Sequence, residues 1–146
     1  MPTEATTRQL VVFTLGSEEY ALPIRQVHEI IRYTEPRSVA AESGWVRGVI
    51  SLRGKIVPVY DLASRLGCAR CEDVAEQKIV IVEAAAQLAG VIVDDVDEVI
   101  TVEADQLERL PAADEAAIDS IVKLDDRLIV LLSPAGLFGL SAEIAA

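Results

Sequence analysis

GVISLRGKIVPVYDLASRLG, residues 48–67, is the stretch whose reading decides the fold. Val49, Ile50 and Leu52 form an apolar run, Arg53-Gly54 turns the chain, and Ile56-Val57-Pro58-Val59-Tyr60 continues it as a second strand. A short helix, Leu62 to Leu66, comes next. Asp61 suits its N-cap, because a side-chain oxygen can accept an otherwise unpaired first-turn N–H. Gly67 suits its end, where the left-handed conformation carries no Cβ clash. The plan recurs at residues 121–139, IVKLDDRLIVLLSPAGLFG. There Ser133 replaces Asp61, Pro134 takes the first helical position, where its missing N–H does no harm, and Gly139 replaces Gly67. Cap and stop are both displaced by 72 residues, so one alignment serves the whole unit.

The same doubling extends toward the N-terminus. Leu10 to Leu15 is rich in β-branched and aromatic residues and reads as a strand; Gly16-Ser17 turns it into a partner, Glu19 to Leu22. Pro23 ends that partner. Ile24, Val27, Ile30 and Ile31 have a spacing that fits one helical turn leading into a strand. Leu10–Ile31 aligns with Ile79–Ile100 at an offset of 69, and Val27-x-Glu29-Ile30-Ile31 falls on Val96-x-Glu98-Val99-Ile100. Lys78 to Val82 and Gln87 to Val93 are then the strands of the second copy. Residues 67–77 and 103–119 are polar connectors, the second acidic and holding one helical turn, and residues 1–8 and 141–146 are tails. A period of about 70 residues is too long for a solenoid. It describes two copies of a small β-domain of four or five short strands, each closing into a barrel that removes its sheet edges. The expected halves are 15–75 and 76–140, with the N-terminal strand a candidate for sharing between them, and a partner would lie in the crevice between the barrels.

With 146 residues the chain has the length of one domain. A chain of this size buries about 68–70% of its unfolded surface, enough to fold without staples. At 51% hydrophobic residues it is not a disordered chain. No apolar run approaches the roughly 18 residues of a membrane span, so direct membrane insertion is not expected. The N-terminus lacks the basic-then-apolar pattern of an export signal, so the expected location is cytoplasmic. The net charge of −11 resides wholly in residues 74–146, which hold 15 Asp/Glu and four Lys/Arg; residues 1–73 hold nine of each. That half would repel nucleic acid and anionic membranes. The charge serves solubility or steering toward a basic protein surface.

Catalytic constellations are hard to find. His28 is the only histidine, and no P-loop, G-x-S-x-G or G-x-G-x-x-G sequence is present. No cofactor is expected. Asp94, Asp95, Asp97 and Glu98 are closely spaced but do not match a calcium loop, and they read as a solvated loop. Cys68-Ala69-Arg70-Cys71 is a C-x-x-C. One reading is a redox dithiol whose thiol pKa is lowered by Arg70; the other is a plain surface connector, since the pair lacks a βαβ context and two further zinc ligands. Arg53 projects from a turn that Gly54, able to take φ > 0, makes a three-residue hairpin with a bulge. It serves either as a fixed hydrogen-bond fork for a partner or as an internal ion pair, for example to Glu29 or Asp61. Ile24, Val27, Ile30 and Val96 are plain core or one face of a crevice. A pseudo-twofold would bring the equivalent Val27 and Val96 to the same place, where an amphipathic helix could lay its apolar side.

Taken together, Phe13-Thr14-Leu15-Gly16-x-Glu18-Glu19-Tyr20-Ala21-Leu22, Val27-x-Glu29-Ile30-Ile31 and Val46-Arg47-Gly48 through Pro58-Val59-Tyr60-Asp61-Leu62 resemble the CheW family over about residues 8–139. Gly90 to Val96 and Leu124 to Ile129 fit it too. The resemblance implies a mainly β fold of two intertwined five-stranded SH3-like barrels with short helices. It implies a non-catalytic adaptor that couples a chemotaxis histidine kinase, through its regulatory domain, to the cytoplasmic tip of a methyl-accepting chemoreceptor. Ile24, Val27, Ile30 and Val96 match the family's receptor groove, and Gly48, Arg53 and Gly54 its partner-binding turn region. Ser51 departs from the usual Asn and keeps a short hydrogen-bonding side chain; Cys68 and Cys71 have no counterpart in the pattern. Adaptors of twitching motility and other receptor–kinase systems share the fold. A dithiol oxidoreductase is the rival reading. A fragment of a larger kinase is a third, less expected in a chain that starts at Met1 and ends in a short tail.

Overall fold

The computed structural model describes residues 7–38, 45–67, 76–84, 86–109 and 117–138. The first copy runs β1 (Thr7–Leu15), β2 (Glu18–Pro23), a 3-10 turn (Ile24–Gln26), β3 (Val27–Arg32), β4 (Val46–Leu52), β5 (Lys55–Tyr60) and α1 (Leu62–Leu66). The second runs β6 (Lys78–Ala84), β7 (Gln87–Val93), β8 (Asp95–Glu103), a 3-10 turn (Ala104–Gln106), β9 (Leu107–Glu108), β10 (Ile118–Leu124), β11 (Arg127–Leu132) and α2 (Pro134–Phe138). The chain is mainly β with short helices, as expected. The turn at 24–26 leading into β3 also follows the reading of that segment.

The doubling holds at the level of register. In the first hairpin Val12 pairs with Ala21, and in the second Ile81 pairs with Gly90. The β4–β5 pair Ile50–Val57 recurs as Val122–Ile129 in β10–β11. Even the small pieces repeat. The lone Arg37–Val49 bridge corresponds to the Glu108–Ile121 pair of β9 and β10. The Asp61 N–H donates to Trp45 O at 2.7 Å, and the Ser133 N–H to Ala117 O at 2.8 Å. Asp61 Oδ1 accepts from Ser64 N, and Ser133 Oγ from Gly136 N, both at 3.3 Å. Gly67 ends α1 at φ 74°, ψ 25°. Gly139, its expected counterpart, lies outside the described residues.

Neither sheet is built from a contiguous half of the chain, 15–75 or 76–140. One has the order β3-β6-β7-β5-β4, and the other β8-β1-β2-β11-β10-β9. Each copy's first hairpin has left its own β-unit and joined the other's. It is held on one side by antiparallel pairing and on the other by short parallel pairs, Val59–Gly90 and Leu131–Ala21. The exchange involves both strands of each hairpin, more than a single shared N-terminal strand. The reason lies in their composition: β1, β6 and β7 are apolar on both faces, so each needs two cores. Leu10, Val12 and Ala21 fill one barrel together with Val122, Ile129 and Leu131. Ile79, Ile81 and Ile92 fill the other with Ile50, Val57 and Val59. The opposite faces (Phe13, Leu15 and Tyr20 from one hairpin, Val80, Val82 and Val91 from the other) meet in a third, central core that α1 and α2 close with Leu62 and Leu137. The interlock is therefore what buries the second face of both hairpins.

Candidate partner-binding surfaces

Val27 and Val96 owe their position to a matched pair of bulges. In β3 the register slips between Val27 and Glu29, so Val27 lies opposite Val82 and Ile30 opposite Val80. Directly opposed residues share a face, as do residues two apart in one strand. Val27 and Ile30, three apart, therefore point to the same side. In β8 a slip opposite Val12 and Phe13 does the same for Val96 and Val99. Val27 and Val96 both pack, half-buried, against the one central core. Ile30 is 41% exposed and Val99 52%. The structure thus sets Val27 and Val96 at equivalent edges of a shared interior, and continues each edge outward with an exposed aliphatic residue. Ile24, in the 3-10 turn that leads into Val27, lines with Arg8, Arg25 and Thr101 a polar cleft of about 730 Å³. Val99 was legible in the repeat as the counterpart of Ile30; its exposure depends on the bulge.

Arg53 and Gly54 form a two-residue turn, not a three-residue hairpin with a bulge, because Leu52 and Lys55 are the last pair of the β4–β5 ladder. Both turn residues have positive φ, 48° and 86°, as the turn that matches strand twist requires. Asp125, φ 56°, starts the same turn between Leu124 and Arg127. The Arg53 guanidinium pairs with Glu29, one of the two internal partners anticipated. The second barrel makes the matching link with a different residue. Arg127 donates to Glu19 from Nε and Nη2 at 3.1 and 2.9 Å, and to Glu98 at 2.8 Å. These carboxylates raise the Arg127 pKa above the ordinary guanidinium value. Both Val-x-Glu glutamates therefore tie an edge strand to a hairpin from the far side of the sheet, which shows that each sheet curls round on itself.

Gly48 sits inside β4, not at the turn, and has an internal reason to be glycine. Its φ is 151°, and a Cβ there would lie 2.1 Å from Arg37 O. The Arg37–Val49 bridge, with N–H···O distances of 2.8 and 2.9 Å, runs across it. The acidic cluster is not a loop: Asp95, Asp97 and Glu98 belong to β8. Its members have separate partners. Asp94 accepts from Gly16 N at 2.7 Å and Gln77 Nε2 at 3.3 Å; Asp97 accepts from Thr14 Oγ1 at 2.6 Å; Asp95 faces Lys78 Nζ at 3.5 Å. Cys68 and Cys71 lie outside the described residues.

Sequence reading missed two features. Trp45, Tyr60 and Phe138 cluster with ring centroids 4.4–5.5 Å apart, Trp45 stacked on Phe138 and Tyr60 tilted against both, joining α2 to the start of β4 beside the central core. Ile56 and Leu128 are 68% and 66% exposed at equivalent positions of β5 and β11. Their 72-residue offset was available as a signal.

A doubled, interlocked pair of small barrels that presents apolar edges and ion-paired turns defines a class of protein-binding scaffold. The chain belongs to the CheW-like domain family, which it matches over residues 9–141. It is 33% identical over 131 residues to the chemotaxis protein CheW of Bacillus subtilis, covering 87% of this chain and 84% of that one. It is 29% identical over 143 residues to a probable chemotaxis protein CheW of Rhizobium etli, covering 95% and 92%. The solved structure of the scaffolding protein TtCheW from Thermoanaerobacter tengcongensis superposes with a TM-score of 0.83 at 36% identity, over 90% of this chain and 87% of that one. The two barrels are accordingly of the SH3-like kind that the resemblance implied.

Proposed function

We propose that this chain is a non-catalytic coupling scaffold of a chemotaxis-type array, acting on the cytoplasmic side of the membrane. It holds the cytoplasmic helical tip of a methyl-accepting chemoreceptor against the seam between its barrels, and binds the regulatory domain of a histidine kinase through a barrel surface. The observation that carries the receptor half is that Val27 and Val96, on different sheets, border one central core and are extended outward by Ile30 and Val99. An amphipathic helix offers apolar residues at i, i+3, i+4 and i+7, which such a paired edge accommodates. Arg53 and Gly54, on a rigid two-residue turn, and the adjoining Gly48 strand segment form the second contact region. Coupling then means that a small receptor displacement biases the kinase through a shared geometry.

Val27→Asp tests this reading. A lone carboxylate desolvated under a helix costs several kcal/mol. Binding to receptor-bearing membranes should weaken by about 100-fold, the equivalent of about 2.8 kcal/mol. The circular dichroism spectrum should not change, since a half-buried side chain can turn its charge to water. Co-sedimentation equal to wild type in a folded Val27→Asp protein would refute the seam as the receptor site.

A further inference from the structure

The two copies part company at one corner. At the offset of 69, Arg8, Gln9, Arg25 and Gln26 correspond to Gln77, Lys78, Asp94 and Asp95. The register agrees: Leu10 pairs with Pro23 as Ile79 does with Ile92, and Gln9 pairs with Thr101 as Lys78 does with Arg32. In the second copy donors meet acceptors. Gln77 Nε2 donates to Asp94 Oδ1 at 3.3 Å, and Lys78 Nζ lies 3.5 Å from Asp95 Oδ1. In the first copy both carboxylates are replaced by residues that donate, Arg25 and Gln26. The Arg25 guanidinium has no hydrogen bond or ion pair among the described residues. The corner is open there: Arg8, Gln9, Arg25, Gln26 and Thr101 line the polar cleft of about 730 Å³. Asp119, the one carboxylate among the described residues lining it, reaches Arg8 at 3.4 Å, with the two side chains 35% and 51% exposed. So exposed a pair is weak, and two guanidiniums against one carboxylate leave the cleft with an excess of positive charge.

We propose that this cleft binds a phosphomonoester of sugar-phosphate size, which supplies the acceptors that the first copy lacks. A guanidinium is a planar fork of N–H donors with no acceptor. Two of them, with two amides and a hydroxyl, offer more donors than the two oxygens of one carboxylate accept. A phosphoryl group presents three acceptor oxygens and about two negative charges at neutral pH. The cleft is far larger than inorganic phosphate needs and falls within the roughly 300–1,000 Å³ of small-molecule sites. Among the described residues its lining has no aromatic ring on which a nucleobase could stack, while the Gln9 and Gln26 amides and the Thr101 hydroxyl suit the hydroxyl groups of a sugar. A ligand held there joins the 3-10 turn before Val27 to β1 and β8.

Isothermal titration of the purified chain with ribose 5-phosphate tests this with neither receptor nor kinase present, so its outcome is independent of the coupling role. Binding with a Kd below about 1 mM is expected. The Val27 amide, which donates to Ile24 O across the turn, should exchange its proton more slowly in the complex. Arg25→Asp installs the carboxylate of the other copy at an exposed position, so it should abolish binding and leave Tm unchanged. Arg8→Gln, again the residue of the other copy, removes one charge-assisted fork and should weaken binding by about 10- to 100-fold. Citrate, which carries carboxylates and no phosphoryl group, should bind at least about tenfold more weakly than the sugar phosphate. A wild-type Kd above about 10 mM overturns the proposal. So does undiminished affinity in Arg25→Asp, which puts the anion elsewhere, or citrate binding as tight as that of ribose 5-phosphate.

Discussion

Gly48→Ala separates an internal role for this glycine from a partner-binding one. The added methyl would sit 2.1 Å from Arg37 O and 2.7 Å from Arg37 C, backbone atoms that cannot swing aside like a side chain. Residues 36–37 must back away, which breaks the two bridge hydrogen bonds to Val49 at 2.8 and 2.9 Å. Two such bonds are together worth about 2 kcal/mol. A φ of 151° adds strain of about 1–3 kcal/mol for a residue with a Cβ. The expected loss is therefore about 3–5 kcal/mol, or about 6–20 °C in Tm for a chain of this length. Stability of a domain is typically about 5–15 kcal/mol, so the variant should still fold in the cold. Urea melts followed by circular dichroism give the free energy, and hydrogen exchange at the Val49 amide should quicken before global unfolding. An unchanged midpoint together with lost partner binding would refute this account and return Gly48 to the contact surface.

Three further outcomes follow from the ion pairs, the aromatic stack and one phenol. Arg127→Ala leaves Glu19 and Glu98 without their shared cation; because all three are partly exposed, the cost should be about 1 kcal/mol, read as a Tm drop of about 2–4 °C that shrinks at high salt. Phe138→Ala removes half of a stack on Trp45, the chain's single tryptophan, so its fluorescence should shift to the red as stability falls by about 2 kcal/mol. Tyr33 has its pKa raised, first by burial and then by its hydrogen bond to Glu35 at 3.0 Å. The folded phenol stays protonated where the unfolded one ionises, so the stabilisation it gives is complete below pH 10 and disappears as pH rises through the folded pKa. NMR titration should show Tyr33 ionising above the ordinary phenol value, and Tyr33→Phe should flatten that part of the alkaline stability profile.

Features that are properties of a short segment were readable from the residues. The Asp61 and Ser133 caps, the Gly67 stop and the two offsets rest on chemistry within one turn, and the register repeats them residue for residue. The hairpin exchange was not readable, because a strand apolar on both faces states that it has two cores without stating whose. The two-residue turn was missed for a local reason: it puts Arg53 at positive φ, a conformation uncommon for any residue but glycine. The aspartates after Val93 look like a solvated loop in composition, and only pairing with β1 makes them a strand. At the site, Val27 and Val96 were readable through the repeat. Which neighbours shared their face was not, because the bulge after Val27 breaks the alternation that a sequence pattern assumes. The Trp45–Phe138 stack joins residues 93 apart and leaves no local trace.

What the duplication preserved and what it released can be seen in the two Val-x-Glu segments. The glutamate is kept at both places, yet its cation is not: Arg53 serves Glu29 from the turn, and Arg127 serves Glu98 from a position that Lys55 occupies in the first copy. The link that curls each barrel is thus constrained only at its acidic end, and the hairpin tip is free to differ. That freedom matters for an adaptor. Two barrels of one shape would offer a partner two indistinguishable surfaces, with binding energy divided between two registers. Placing Arg53-Gly54-Lys55 at one tip and Asp125-Asp126-Arg127 at the other makes the surfaces alike in geometry and unlike in charge. The two ends of the molecule thus differ in charge, while the seam bordered by Val27 and Val96 keeps its near-symmetry.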